Sequence, residues 1–225
     1  MCFIKSEKYL KFIIICCILY LNILAVSAEQ SKRKILILVG TYVNSCDNCP
    51  ENVDAVTSAT RSIHGSYTGS TFEIANIIKG RFIELGCNVD LLKAENKNID
   101  LEGYDLIIIG SSIQGGVPNS NIKDFVNSNY EILKQKKVAA FAVCASILSE
   151  DEKKKNLAES FSDSVACGLN TLSKTVFAGH VPDLGWLQTK MMKLFLGIKN
   201  FKSGSYLNQK EIETWVTLLF EKLNY

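Results

Sequence analysis

The chain has 225 residues, 47% of them hydrophobic, and sets 25 Lys or Arg against 23 Asp or Glu for a formal net charge of +2. That length supports one α/β domain with a full core. Charges this evenly balanced exclude nucleic acid as the main partner.

Residues 1–28 read as a leader. Lys5, Lys8 and Lys11 precede an apolar run from Phe12 to Val26, and Val26-Ser27-Ala28 offers small residues where a signal peptidase cuts. This is the layout of a secretory signal peptide. An uncleaved N-terminal anchor is the alternative, because Phe12–Ala28 reaches the lower length of a spanning helix. There is no lipobox, since Ile15 and Cys16 stand before Cys16 and Cys17, where a small residue is required. Either reading places the domain at 34–225 outside the cytoplasmic membrane, soluble or anchored.

Lys34–Gly40 is a short unbroken apolar run and predicts a parallel strand buried on both faces. An insertion of 24 residues, 41–64, follows it, and a loop that long in a compact domain is often functional. The insertion contains Cys46-Asp-Asn-Cys49. Outside the leader the chain carries Cys46, Cys49, Cys87, Cys144 and Cys167, an odd number that leaves at least one thiol unpaired or bonded elsewhere. In an exported chain the Cys46/Cys49 pair reads first as a local disulfide, then as a redox-active pair, then as a zinc half-site. No second C-x-x-C or His pair completes a metal site.

Ser66-Tyr67-Thr68-Gly69-Ser70-Thr71 stands before an amphipathic segment that starts at Phe72. Small and hydroxylated residues at a helix N-terminus expose backbone N–H groups and add hydroxyl donors, which makes an anion cradle. The Gly-Lys-Ser/Thr of a nucleotide-binding P-loop is absent, and without a lysine the natural guest is a phosphate monoester. The alternative is a Ser/Thr-rich helix cap. A helix over Glu73–Leu85 follows, with Phe72, Ala75, Ile78, Phe82 and Leu85 on one stripe and Gly86 as its stop. Val89–Leu92 predicts a second strand and Leu106–Gly110 a third. A loop from Gly110 to Pro118 leads to a helix striped by Ile122, Phe125, Val126, Tyr130 and Leu133. Val138–Val143 is the fourth strand, and Ser149-Glu-Asp-Glu152 is a capping box opening a helix toward Phe161. Lys174–Ala178 is the fifth strand. Asn208–Leu223 closes the chain as a helix with Ile212, Trp215, Val216, Leu219 and Leu223 facing inward. Strand and helix alternate five times, so the fold class is α/β, a doubly wound parallel sheet with helices on both faces. Ligands of such sheets sit beyond the carboxyl ends of the strands.

The S-x-T-G-x-T order at Ser66–Thr71 resembles the phosphate loop of flavodoxins, which grips the 5′-phosphate of FMN. That loop, then Gly110-Ser111-Ser112-Ile113-Gln114-Gly115-Gly116-Val117-Pro118, then Phe177-Ala178-Gly179 with Trp186 and Met191–Leu194, occur in an order similar to the flavodoxin-like branch of menaquinone-dependent protoporphyrinogen dehydrogenase. The resemblance covers 34–223 apart from the insertion. It implies a strand order 2-1-3-4-5 and FMN as cofactor, with Ser66, Tyr67, Thr68, Gly69, Ser70 and Thr71 on its phosphate. It implies Ser111, Ser112, Ile113, Gln114, Gly115 and Gly116 along one side of the flavin ring, and Cys144, Ala145 and Ser146 along the other. Flavin supplies the redox chemistry and the protein tunes its potential. Two departures stand out. Neither ring-lining loop carries the Trp or Tyr that stacks on the ring in electron-carrier flavodoxins, and the charge lacks their strongly acidic balance. A second likeness lies in the insertion. Asp54-Ala-Val-Thr57-Ser58-Ala59-Thr60 resembles the D-x-x-S/T-G-A-T site on which exported flavoproteins receive covalent FMN, here at Thr60 with Ser58 in place of the glycine.

His64 and His180 are the only histidines and show no triad-like spacing. Ser146 lacks a G-x-S-x-G elbow. Trp186–Phe201 mixes a wide apolar face with Lys190, Lys193 and Lys199, which fits either a helix lying on a membrane surface or one packed at a sheet edge. The function expected is an exported FMN-binding redox protein exchanging electrons with a quinone or another membrane-linked partner. A protoporphyrinogen-dehydrogenase-like oxidoreductase and a non-catalytic scaffold on the same fold are the alternatives.

Overall fold

The computed structural model describes residues 32–40, 69–95, 99–181 and 202–223, and within 182–201 residues 186, 189, 190, 193, 194 and 197. The leader, the 41–64 insertion with Cys46, Cys49 and Thr60, and Ser66, Tyr67 and Thr68 lie outside the described residues. The sheet-bearing unit is Lys34–Tyr225.

Five parallel strands make the sheet: β1 (Lys34–Gly40), β2 (Asn88–Lys93), β3 (Leu106–Gln114), β5 (Val138–Val143) and β6 (Ser173–Phe177), in the order β2-β1-β3-β5-β6. In the numbering of predicted strands this is 2-1-3-4-5, as expected. A two-residue strand β4 (Val117–Pro118) pairs antiparallel with the end of β3. Every residue of β1 after Lys34, and all of β5, is buried, which the unbroken apolar runs required. β2 at one edge is only half-buried, and its polar residues match that position.

Strand side chains alternate between two cores. Ile35, Ile37 and Val39 face helices α1 (Gly69–Glu84) and α5 (Gln209–Leu223), together with Ile74, Ile78, Phe82, Trp215 and Leu219. Leu36, Leu38, Ile107 and Ile109 face α2 (Ser120–Ser128), α3 (Tyr130–Leu133) and α4 (Glu152–Ala166), through Ile122, Val126, Leu133, Ala158 and Val165. Each such side chain contributes about 1.5–3 kcal/mol by leaving water. The five α5 residues expected inward are the five that are buried. Phe141, Phe177 and Trp215 form an aromatic cluster with centroids 5.8–6.4 Å apart, Trp215 edge-on to both phenylalanines, and the Trp215 indole donates to Ser173 Oγ at 2.9 Å.

Several boundaries differ from the sequence reading. α1 begins at Gly69 rather than beyond Thr71, so half of the hydroxyl-rich loop forms its first turn. It ends as expected at Gly86 (φ +83°), where Cys87 N–H donates to Phe82 C=O and Gly86 N–H to Ile83 C=O. The single helix expected over 122–133 is two, because Asn129 breaks from helical geometry and its side-chain amide donates to Phe125 C=O. The cap of α4 is Asp151, not Ser149: Asp151 accepts from Lys153 N–H, while Ser149 Oγ accepts from Asp151 N–H. The reach of an aspartate in the first position before the helix displaced the serine-led box.

Candidate functional site

The carboxyl edge of the sheet gathers the ends of β1, β3, β5 and β6 and the first turn of α1. Gly69 is exposed there, and Ser70 and Thr71 are buried. No acidic residue occupies the first turn of α1, so the positive end of its dipole is not neutralised locally. Ser70 has a structural partner as well: its Oγ accepts from His180 N–H at 2.7 Å. A Cβ on Gly179 would stand 2.8 Å from Ser70 Cβ and 2.9 Å from Val143 Cγ1. The start of α1 is thus clamped to the corner after β6. Replacing Ser70 with alanine leaves a partly buried N–H without an acceptor, and a loss of about 1–3 kcal/mol in urea unfolding is the expected result.

The segment expected as a loop after the third strand is a β-hairpin. Ser111, Ser112, Ile113 and Gln114 continue β3, and the Gly115-Gly116 turn (φ +58° and +83°) returns it as β4, with Gln114 opposite Val117. Positive φ at both turn positions is the two-residue geometry that matches strand twist, and glycine adopts it without strain. Ser111 is fully buried; its Oγ accepts from Asn119 N–H at 2.9 Å and donates to Ser112 C=O. Ser112 Oγ donates to Gly40 C=O at 3.5 Å. Both hydroxyls therefore hold the hairpin to β1 and to the start of α2 and do not project from the edge. What the hairpin presents outward is half-buried Ile113 and Gln114 and the exposed Gly115-Gly116 backbone.

On the neighbouring strand, Cys144 follows β5 and precedes a 3₁₀ turn over Ala145–Leu148, in which Ala145, Ser146, Ile147 and Leu148 are half-buried. Burial pushes the Cys144 thiol up to about 11, against hydrogen bonds from the backbone of Ile147 and Ser146 that favour the thiolate. An unfolded chain ionises this thiol near 9.0 while the folded one keeps its proton. The contribution is therefore complete below pH 9 and is lost as pH rises toward 11. Tyr104, pushed up to about 12 by burial first and by its hydrogen bond to Asp90 second, steepens the same alkaline limb. Urea midpoints are expected to fall between pH 9 and pH 12, and Cys144→Ala is expected to flatten the part between pH 9 and pH 11.

The sequence reading missed the junction of Gly40 and Asn119. A Cβ on Gly40 would lie 2.4 Å from Ile122 Cγ1 and 3.0 Å from Asn119 Cβ. Asn119 is buried, caps α2 through Asn121 N–H, and donates its own N–H to Ser111. The Asn-Ser start of a helix was the available signal. Among the described residues no cluster of metal-ligating side chains occurs.

The edge combines an acid-free helix start carrying hydroxyls with a rim of glycine and backbone where side chains are small. It offers no aromatic ring for stacking at Ile113–Gly116 or Ala145–Leu148.

A family model described as a flavodoxin domain matches residues 63–204. No curated protein gives a significant match. Among solved structures, oxidised flavodoxin 1 from Bacillus cereus aligns over 86% of this chain and 99% of its own at 15% identity, TM-score 0.47. Oxidised flavodoxin 2 from the same organism aligns over 84% and 99% at 19% identity, TM-score 0.47. A flavo di-iron protein from Thermotoga maritima aligns over 86% of this chain and 36% of its own at 13% identity, TM-score 0.48.

Proposed function

This chain belongs to the flavodoxin-domain family, whose model matches more than half of it, and from that membership we propose that it is an FMN-binding redox protein. The observation that carries the reading is the coincidence of the family match with the hydroxyl-rich, acid-free start of α1 at the carboxyl edge of the sheet. Ser66–Thr71 would hold the phosphate through N–H and hydroxyl groups. The ring would lie between the Ile113–Gly116 backbone and the turn at Cys144-Ala145-Ser146. Bound there, FMN supplies one- and two-electron chemistry; the chain supplies position and N–H donors. Because Ser111 and Ser112 are bonded inward, backbone groups rather than serine hydroxyls set the ring environment on the hairpin side.

Within the family we propose the branch of menaquinone-dependent protoporphyrinogen dehydrogenase. Support comes from the Gly-Ser-Ser-Ile segment, now part of a hairpin, and from the lack of a stacking aromatic, which leaves the ring open to a second flat molecule such as a quinone. The leader of residues 1–28 supports export, and we propose that the protein works outside the cytoplasmic membrane, soluble or anchored. We further propose non-covalent FMN, a Cys46–Cys49 disulfide, and a quinone or membrane-linked redox partner. Anaerobic reduction of the FMN-loaded protein followed by a water-soluble quinone tests the redox half: reoxidation faster than that of free reduced FMN supports it, and an equal rate contradicts it. Intact mass tests the linkage, since a gain of one FMN less one water, lost in Thr60→Ala, would replace the non-covalent reading. A free-thiol count under denaturing conditions, expected to find Cys46 and Cys49 oxidised, tests the disulfide.

A further inference from the structure

We propose that the carboxamide nitrogen of Asn119 donates a hydrogen bond to the ribityl chain of the bound flavin. The inference rests on the FMN reading above and names one contact within it. Asn119 is 4% exposed. Its backbone N–H donates to Ser111 Oγ at 2.9 Å, and its backbone C=O accepts from Ile122 and Lys123. Its Oδ1 accepts from Asn121 N–H at 2.9 Å, which caps α2 and fixes which end of the amide is the nitrogen. Nδ2 alone meets no acceptor among the described residues. A cap needs only the oxygen. Serine, threonine or aspartate would supply it without burying two further N–H groups. A buried donor left unpaired costs free energy, so this nitrogen calls for an acceptor that the sheet and its helices do not provide.

Position selects the acceptor. In the order β2-β1-β3-β5-β6 the chain turns one way after β1 and the other way after β3. The crevice where such sheets take ligands therefore lies between the ends of those two strands. Asn119 stands at that crevice. Its N–H is bonded to Ser111 of β3. On the other side, a Cβ on Gly40, the last residue of β1, would lie 3.0 Å from Asn119 Cβ and 3.1 Å from its Cγ. The FMN reading puts the phosphate at the start of α1, next to β1, and the ring between the hairpin of β3 and the turn after β5. The ribityl chain joins the two and passes the ends of β1 and β3. Its hydroxyl oxygens are neutral acceptors, which suits a neutral amide donor.

Three flavins separate the possible contacts: FMN, riboflavin, which lacks the phosphate, and lumiflavin, which lacks the ribityl chain as well. Each is titrated with the full chain and with Asn119→Ser and Asn119→Ala, and urea unfolding of the flavin-free proteins is followed alongside. Asn119→Ser keeps a capping oxygen and loses the amide. It is expected to weaken FMN and riboflavin by the same factor, about three- to tenfold, and to leave lumiflavin and the urea midpoint unchanged. Asn119→Ala should weaken the same two flavins by that factor and lower the urea midpoint as well, because the cap is lost. Three results would overturn the proposal: affinities that Asn119→Ser leaves in place, which would make Asn119 a cap and nothing more; a loss for FMN alone, which would put the contact on the phosphate; or an equal loss for lumiflavin, which would mean a general disturbance of the site. A wild-type chain that binds none of the three flavins would remove the FMN reading and this contact with it, whereas a binding wild type with unaltered variants removes the contact alone.

Discussion

Replacing Gly110 with alanine is expected to lower the stability of the domain by about 3 kcal/mol or more, the largest effect of any single added methyl group in the described residues. Gly110 lies in the centre of β3 and faces the ring of Phe141 on the neighbouring strand. A Cβ there would stand 2.1 Å from Phe141 Cζ and 2.3 Å from Cε1. Phe141 is fully buried and is held on its other sides by Phe177 and Trp215, so its ring has nowhere to turn. The backbone must move instead, and in a central strand that strains two ladders at once. A cycle with Phe141→Leu separates this cause from a general cost of alanine. Gly110→Ala should cost clearly less in the Phe141→Leu background, with a coupling of about 1–3 kcal/mol in urea unfolding. Additive effects would mean that the collision is relieved elsewhere.

The second large effect concerns the cofactor. Thr68→Val with Thr71→Val is expected to weaken FMN at least about tenfold, because hydrogen bonds to a charged phosphate contribute about 1.5–3 kcal/mol each. Valine keeps the branched shape and removes only the hydroxyl. Thr71 is buried in the first turn of α1, so the shape matters there as much as the donor. Riboflavin, which lacks the phosphate, serves as the control: its affinity should be unchanged by the pair. An unaltered FMN dissociation constant would move the phosphate away from this loop.

The centre of the sheet was legible because β1, β3 and β5 are buried on both faces. The apolar runs at Lys34–Gly40 and Val138–Val143 leave no other placement, and their order follows from the alternation with helices. The buried stripe of helix α5 was legible to the residue, since it meets the sheet directly. The hairpin was not. Ser-Ser-Ile-Gln carries no strand signal of its own, and only the Gly-Gly turn with its return to Pro118 brings it into the sheet. The role of the serines was hidden for the same reason: Ser111 and Ser112, expected to line a ring from a loop, make structural bonds once the segment is a strand beside Gly40 and Asn119. The early start of α1 likewise depends on a tertiary contact, the bond from His180 N–H to Ser70, which lies 110 residues away in sequence. Of the expected site, half of the phosphate loop, the hairpin and the Cys144 turn are at the same edge of the sheet.

The central claim is that this edge binds FMN. Titrating the purified full-length protein into FMN, with flavin fluorescence and visible absorbance followed together, tests it most directly. Saturable quenching at one FMN per chain, with a resolved shift of the visible flavin bands and release of all flavin by acid, is the predicted result. Fluorescence that never departs from that of free FMN, in a protein that is itself colourless and folded, would contradict it.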